Sequence, residues 1–232
     1  RYHPNEEKWE HLFSAPEGLI AVCGVGRWIY ALGYWDHVVY QYDTLTGKTR
    51  TQTVESEGGH VSRNIVADEN GHVYVPRVKY VRLPGSKGAD EENLLVTMLV
   101  EFDETLTEVS STPLIHYADP KRRNLRNNHG IVGFSYLADH SIVIITHLGF
   151  LYRIIPKISG PAVVEELGWF HPQGRSYSAA IFPLDGHYKI LGISRRGNRH
   201  DLVMYDLTTK QSNIVPVETP QVRHLLLYGS NT

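Results

Sequence analysis

The sequence has little of what usually announces a chemistry. A single cysteine, Cys23, stands among 232 residues, which excludes an internal disulfide framework. It sits in an apolar stretch and reads as a small core side chain. No apolar run reaches the ~18 residues that a membrane-spanning helix needs, because Leu19 to Val25 is short and broken by glycine. No membrane span is therefore expected. The opening residues, Arg1-Tyr2-His3, do not read as a secretory signal, though a processed signal would leave the same start. Neither charge sign dominates: 23 Lys and Arg face 25 Asp and Glu, for a net charge of −2, which speaks against a general nucleic-acid binder. No segment carries a helical period of apolar residues. There is no HExxH, no paired cysteine and no EF-hand loop, and Gly24-Val25-Gly26 lacks the strand–helix context of a dinucleotide loop. The composition, 41% hydrophobic and 21% charged, is that of an ordinary globular domain with a substantial core.

What is present is repetition. A short apolar strand ending in an aromatic and an acid or its stand-in, a polar turn and another strand recur along the chain. The copies are Arg1-Tyr2-His3-Pro4 into Lys8-Trp9-Glu10, Tyr40-Gln41-Tyr42-Asp43 into Thr49-Arg50-Thr51, and Val100-Glu101-Phe102-Asp103 into Thr107-Glu108-Val109. Leu151-Tyr152-Arg153-Ile154 into Val163-Val164-Glu165 and Met204-Tyr205-Asp206 into Ser212-Asn213-Ile214 complete the set. Between them lie hairpins of matching design, turning at Gly24-Val25-Gly26, Asp68-Glu69-Asn70-Gly71, Leu137 to His140 and Asp185-Gly186; Asn-Gly and Asp-Gly between apolar runs are strong hairpin signals. A period of roughly 40 to 60 residues marks a β-propeller. The expectation is an all-β propeller of four-stranded antiparallel blades, the first strand of each innermost, with about five blade units over residues 1–232 as one domain. The ends do not complete a whole blade. The chain is therefore either a piece of a larger propeller or a ring whose two ends share one blade.

In that fold the connections fall into two sets on opposite faces. The set at the ends of the second and fourth strands holds every long insertion: Lys79 to Asn93, His116 to Asn128, Phe170 to Ser176 and Ser194 to Asp201. Long loops on one face of a rigid scaffold are where binding sites collect. These insertions also hold Lys121-Arg122-Arg123, Arg126, Arg175, Arg195, Arg196 and Arg199, partly offset by Asp90, Glu91 and Glu92, whereas the opposite turns lean acidic. A basic face on a chain of this net charge points to an acidic partner.

The first residues of each inner strand are expected at the mouth of the central channel: His60 and Arg63, Asn128 and His129, Arg175 and Tyr177, Arg223 and His224. The far ends of the second strands bring Tyr34, Trp35, Arg77, His147, Arg195 and Arg196 to the same end. A hairpin centred near Ala138 and Asp139 sets residue 129 opposite residue 148, so His129 and His147 nearly face each other, where opposed side chains approach to ~5 Å. The same construction one blade on brings Tyr177 near Arg195 or Arg196. A basic pocket with His and Tyr suits β-elimination on a uronic-acid sugar. Arg or His neutralises the carboxylate, Tyr or His removes the proton beside it, and another group protonates the leaving oxygen. No glycosidase-like carboxylate pair is evident on this face.

The order His129, His147, Tyr177, Arg195 resembles the constellation of the propeller polysaccharide lyases that cleave ulvan. The likeness runs from Asn127 to Arg196 and rests on order and approximate spacing. It implies Tyr177 as base, His129 as a second proton-transfer group, and Arg195 and His147 as the groups that hold or neutralise the uronate. The gap between the His pair and Tyr177 is shorter than in that family, and the chain is shorter than its propeller. Substrate-binding residues on this reading are His60, Arg63, Asn128, Arg175, Arg196, Arg223 and His224. The partner is an acidic polysaccharide or oligosaccharide, which implies a secreted or periplasmic protein. Two rival readings use the same residues. One is a non-catalytic propeller that binds an anionic glycan or a protein through its basic face. The other is a metal-dependent hydrolase or lactonase in which His60, His129, His147 and His224 converge on a divalent cation; no other cofactor is implied.

Overall fold

The structure, a computed structural model, describes residues 1–57, 64–81, 94–114, 130–171, 175–196 and 199–216, with the backbone alone for 80, 81, 94, 95, 175, 177, 196 and 199. Every regular element among them is a strand. A two-stranded sheet pairs β1 (Tyr2–His3) with β2 (Lys8–Trp9), and four four-stranded antiparallel sheets follow in chain order. Blade I is β3 (Leu19–Val25), β4 (Trp28–Gly33), β5 (Val38–Asp43) and β6 (Thr49–Thr53). Blade II is β7 (Val66–Ala67), β8 (Val73–Val81), β9 (Leu94–Phe102) and β10 (Glu108–Pro113). Blade III is β11 (Ile131–Tyr136), β12 (Ile142–Thr146), β13 (Phe150–Ile155) and β14 (Val163–Trp169). Blade IV is β15 (Arg175–Leu184), β16 (His187–Arg196), β17 (Arg199–Asp206) and β18 (Gln211–Val215). Each sheet is a simple meander.

The aspartates of the repeated motif close the turn after the third strand of a blade. Asp103 Oδ1 accepts from the Thr105 amide at 2.8 Å and the Thr107 amide at 2.9 Å. Asp43 takes the Leu45 amide at 3.0 Å and the Thr46 hydroxyl at 2.8 Å, and Asp206 takes the Thr208 and Thr209 amides at 2.8 and 3.0 Å. An Asp at this position mimics a backbone turn through its side chain. Blade III has Ile155-Pro156 there and turns without an acid. All three carboxyls are held below the usual range. For Asp206 the causes are Lys189 first, then the Thr209 amide and His187. For Asp43 and Asp103 desolvation pushes upward but is outweighed by the threonine hydroxyls and turn amides. A folded pKa below the unfolded ~3.9 gives stability that is complete above that value and is lost as pH falls through the folded pKa. Melting temperature should therefore hold down to about pH 4–5 and drop steeply below it, and Asp103→Asn should flatten that drop.

The core lies between blades. Strands sandwiched on both faces read as unbroken apolar runs, as in Ile142-Val143-Ile144-Ile145. Ile142 and Ile144 pack with Val66, Tyr74 and Leu99 of blade II. Val143 and Ile145 pack with Ile181, Ile190, Val203 and Tyr205 of blade IV. Ala21, Cys23, Tyr30, Leu32 and Val39 of blade I meet Ala67, Val73, Val75, Val100 and Phe102 of blade II. At roughly 1.5–3 kcal/mol for each fully buried large side chain, this packing is the main term joining neighbours. The outermost strands β6 and β18 are exposed and polar, as an unpaired sheet edge requires. Cys23 is buried as expected, and burial pushes its thiol up to about 12. It should resist a thiol-exchange reagent at neutral pH in folded protein and react fully once denatured.

Polar ties reinforce the packing at the end opposite the long insertions. Gln41 Nε2 donates to the Glu104 carbonyl at 2.8 Å, the Tyr136 hydroxyl to the Ala67 carbonyl at 2.8 Å, and the Ala138 amide to the Tyr188 hydroxyl at 2.9 Å. The Ala162 amide reaches buried Glu101 at 2.9 Å, and Tyr30 donates to the Gly71 carbonyl. The expected acidic lean of this end is thus largely taken up by turn closure and ties between blades.

Candidate functional site

The junction of blades III and IV, at the end where the second strands finish, gathers the candidate residues that can be described. The His147 amide donates to the Gly130 carbonyl at 2.9 Å, continuing the β11–β12 pairing. Its carbonyl accepts from the Ser176 amide at 2.9 Å, which ties the end of β12 to the start of β15. Across β15 and β16, Ser176 faces Ser194 and Arg175 faces Arg195. Across β16 and β17, Arg195 faces His200 and Arg196 faces Arg199. The backbones of His147, Ser176, Tyr177, Ser194 and Arg195 therefore meet at one corner. Arg195 is exposed.

Tyr177 occupies a special backbone position. Pairing slips by one residue between Ser176↔Ser194 and Ser178↔Ile193, leaving Tyr177 as the extra residue of a β-bulge. The same slip occurs between Ile131 and Gly133, at Val132, and between Leu19 and Ala21, at Ile20. Three inner strands thus carry the bulge near their starts, and only in blade IV is the bulged residue a proton-carrying one. Bulges re-aim side chains and are enriched beside active sites.

A buried polar row, not anticipated from sequence, lies beneath this corner. Ser176, Ser194 and Asp201 are register partners on one face of blade IV, and all three are buried. Ser194 alternates with Gly192 and Ile190, so the row faces blade III. There His171, also buried, places Nδ1 2.9 Å from the Ser194 hydroxyl. The signal available in sequence was an apolar strand, Ile190-Leu191-Gly192-Ile193, whose inward face ends on Ser194.

Several expectations need correction. The expected nearness of Tyr177 to Arg195 or Arg196 takes the form of a bulge across from the Ile193–Ser194 step, next to Arg195, which itself faces Arg175. The turn at Asp185-Gly186 and the inserted residue together fix that offset. Ser194 to Asp201 is not a long loop, since β16 runs to Arg196 and β17 starts at Arg199; likewise β8 extends through Lys79 to Val81. Arg77 does not reach the mouth. It lies inside β8, buried, with Nη1 and Nη2 each 2.7 Å from the Glu108 carboxylate and the Ser111 hydroxyl at 2.9 Å. His60, Arg63, Asn128, His129, Arg223 and His224 lie outside the described residues, as does the Lys121-Arg122-Arg123 cluster. Of Arg175, Tyr177 and Arg196 only the backbone is described. Among the described residues no group of three or more His, Cys, Asp or Glu could hold a metal ion, and no helix is long and apolar enough to cross a membrane.

No family model matches the sequence and no curated protein matches it. Solved structures do. The Dos1 propeller superposes with a TM-score of 0.51 at 10% identity, over 85% of this chain and 48% of its own. The fold is a β-propeller. The extracellular domain of a protein described as a hybrid two-component system from B. thetaiotaomicron matches with a TM-score of 0.53 at 12% identity, over 90% of this chain and 23% of its own. A GH43 protein of Bacillus licheniformis matches at 11% identity with a TM-score of 0.43, over 90% of this chain and 44% of its own, a likeness that does not reach the chemistry. The chain thus spans about half or less of each of these proteins. At such identities the propeller matches establish the arrangement of strands alone.

Proposed function

We propose that the propeller cleaves a uronic-acid-containing polysaccharide by β-elimination at the junction of blades III and IV, with residues 1–232 acting as one propeller domain. The observation that carries this reading is the hydrogen bond of 2.9 Å from the Ser176 amide to the His147 carbonyl. It joins, across two blades, the backbone of a histidine to that of Ser176, which stands between an arginine rung and a bulged tyrosine. In the reaction Arg195 and His147 receive the uronate carboxylate, which stabilises negative charge spreading onto it from the neighbouring carbon. Tyr177, as phenolate, removes the proton from that carbon. The electron pair of the broken C–H bond forms a carbon–carbon double bond, the bond to the glycosidic oxygen breaks, and His129 protonates the departing oxygen. A phenol ordinarily titrates near 10, and only its anion can take the proton. Cleavage should therefore rise with pH through the neutral and mildly alkaline range. Substrates of this size lie outside the cytoplasm, so the same proposal implies an exported protein.

The paired rungs Arg175↔Arg195 and Arg196↔Arg199 favour a second reading, a propeller that holds an anionic glycan without cutting it. Ultraviolet absorbance of the unsaturated uronate, followed over a panel of uronate polymers, separates the two. A rise that survives chelator is the expected result. A flat trace with retained, salt-sensitive binding would leave the binding reading, and new reducing ends formed without the absorbance and lost on adding chelator would point to a metal hydrolase.

A further inference from the structure

The connection between β4 and β5 lies at the same end of the sheets as His147 and Arg195, and it carries an exposed tryptophan. Trp35 is 72% exposed, yet its loop is firmly built. Glu17 Oε2 accepts the Trp35 amide at 2.6 Å and the Asp36 amide at 2.9 Å, and Glu17 Oε1 accepts the Tyr40 hydroxyl at 3.1 Å. The Tyr34 amide donates to the Gly18 carbonyl at 2.7 Å. The Glu17 carboxylate fills the space a Cβ on residue 33 would need, so Gly33 is what admits it. His37 closes the loop with a φ of 55°, a left-handed conformation that a non-glycine residue adopts only at a cost. The Tyr34 ring stands edge-on to the Trp35 ring, centroids 4.7 Å apart and planes at 87°. A carboxylate, a glycine and a strained histidine thus hold one aromatic plate at the surface.

Its surroundings say what it takes. The Tyr34 ring packs on the indole, the Glu17 carboxylate holds the Trp35 and Asp36 amides and Asp36 follows Trp35, exposed, in the chain; so small and charged a setting is unlike an apolar protein-docking groove. A pyranose ring offers an apolar C–H face to an indole and hydroxyl donors to carboxylates. The carboxylates at this loop disfavour a uronate and favour a neutral ring. We infer that Trp35 is a stacking subsite for a neutral pyranose residue of the polysaccharide. This rests on the glycan reading above and divides the labour: Arg195 takes the acidic sugar, Trp35 a neutral one further along the same chain.

Calorimetric titration of the full chain with neutral cello-oligosaccharides and with a polymer bearing glucuronic acid tests it. Trp35→Ala, at an exposed position, should keep the wild-type circular dichroism and bind both probes about tenfold more weakly. That loss should persist at high salt, and Trp35→Phe should recover most of it. Gly33→Ala, which leaves the indole but displaces Glu17, should give a smaller loss of the same kind. Arg195→Ala should weaken only the acidic polymer, and in a salt-dependent way. If Trp35→Ala matches the wild type while the acidic polymer is still bound or cleaved, the subsite is overturned and the glycan reading stands. If the wild type binds neither probe, both are overturned.

Discussion

Tyr177→Phe is expected to lower the rate of elimination by about 10²- to 10⁴-fold, the range for losing one positioned proton-transfer group, with substrate affinity changed little. The substitution removes one oxygen and keeps the ring, so the bulge between Ser176 and Ser178 has no reason to rearrange. A loss in kcat without a matching rise in KM is the signature of a group used only in the transition state. Arg195→Ala should behave differently, raising KM as well, because a carboxylate is held in the ground state too. The pH profile gives an independent reading: in wild type the rising limb should belong to Tyr177, and whatever slow cleavage Tyr177→Phe retains should lack it. A variant with the wild-type rate and profile would remove Tyr177 from the chemistry.

The second large effect concerns Gly133. A Cβ at this position in β11 would meet the backbone of β15, overlapping the Ala179 carbonyl and lying 2.9 Å from its carbon, with the Ile145 Cγ2 at 3.1 Å. A flexible side chain could swing aside, but a strand backbone cannot without parting blades III and IV. Gly133→Ala should cost about 1–3 kcal/mol, the usual range for overpacking, and lower the melting temperature by roughly 2–4 °C for each kcal/mol. Because the strained junction also carries His147 and Ser176, cleavage should weaken in the same variant. Gly26→Ala makes the comparison: its φ is 54° but nothing lies near its Cβ, so any cost there is conformational and local. Equal stability of Gly133→Ala and the wild type would mean that the blades adapt by sliding.

Blade grammar was legible because it is written in short-range chemistry. The aspartates after Tyr42, Phe102 and Tyr205 bond their own turns, so local sequence predicts local structure. The expected register, residue 129 opposite 148, agrees with the hydrogen bond between 130 and 147, although the hairpin centres on Asp139 and the slip at Val132 restores the offset. What escaped was of two kinds. Strand extents at Lys79 to Val81 and at Ser194 to Asp201 were missed because charged residues, Lys79 in one and Arg195, Arg196 and Arg199 in the other, look like loop when read alone. The offset of Tyr177 escaped because one inserted residue shifts every partner beyond it, and no residue in Ser176-Tyr177-Ser178 advertises the insertion. Arg77 misled for the first of these reasons: expected at the far end of the second strand, it lies inside a strand that runs on to Val81, where Glu108 and Ser111 satisfy it.

Among the described residues each apolar cluster is shared by two adjacent blades, which makes the blades a series of links, each fixed by its own nearest-neighbour contact. The proposed site sits astride one link, between blades III and IV. A sugar chain bridging His147 and Arg195 would act as a rivet, adding to that link and to no other. Hydrogen exchange should then slow on ligand binding in β12, β15 and β16 while β3 to β6 exchange as before, so that the map of protection would mark the joint that the substrate fastens.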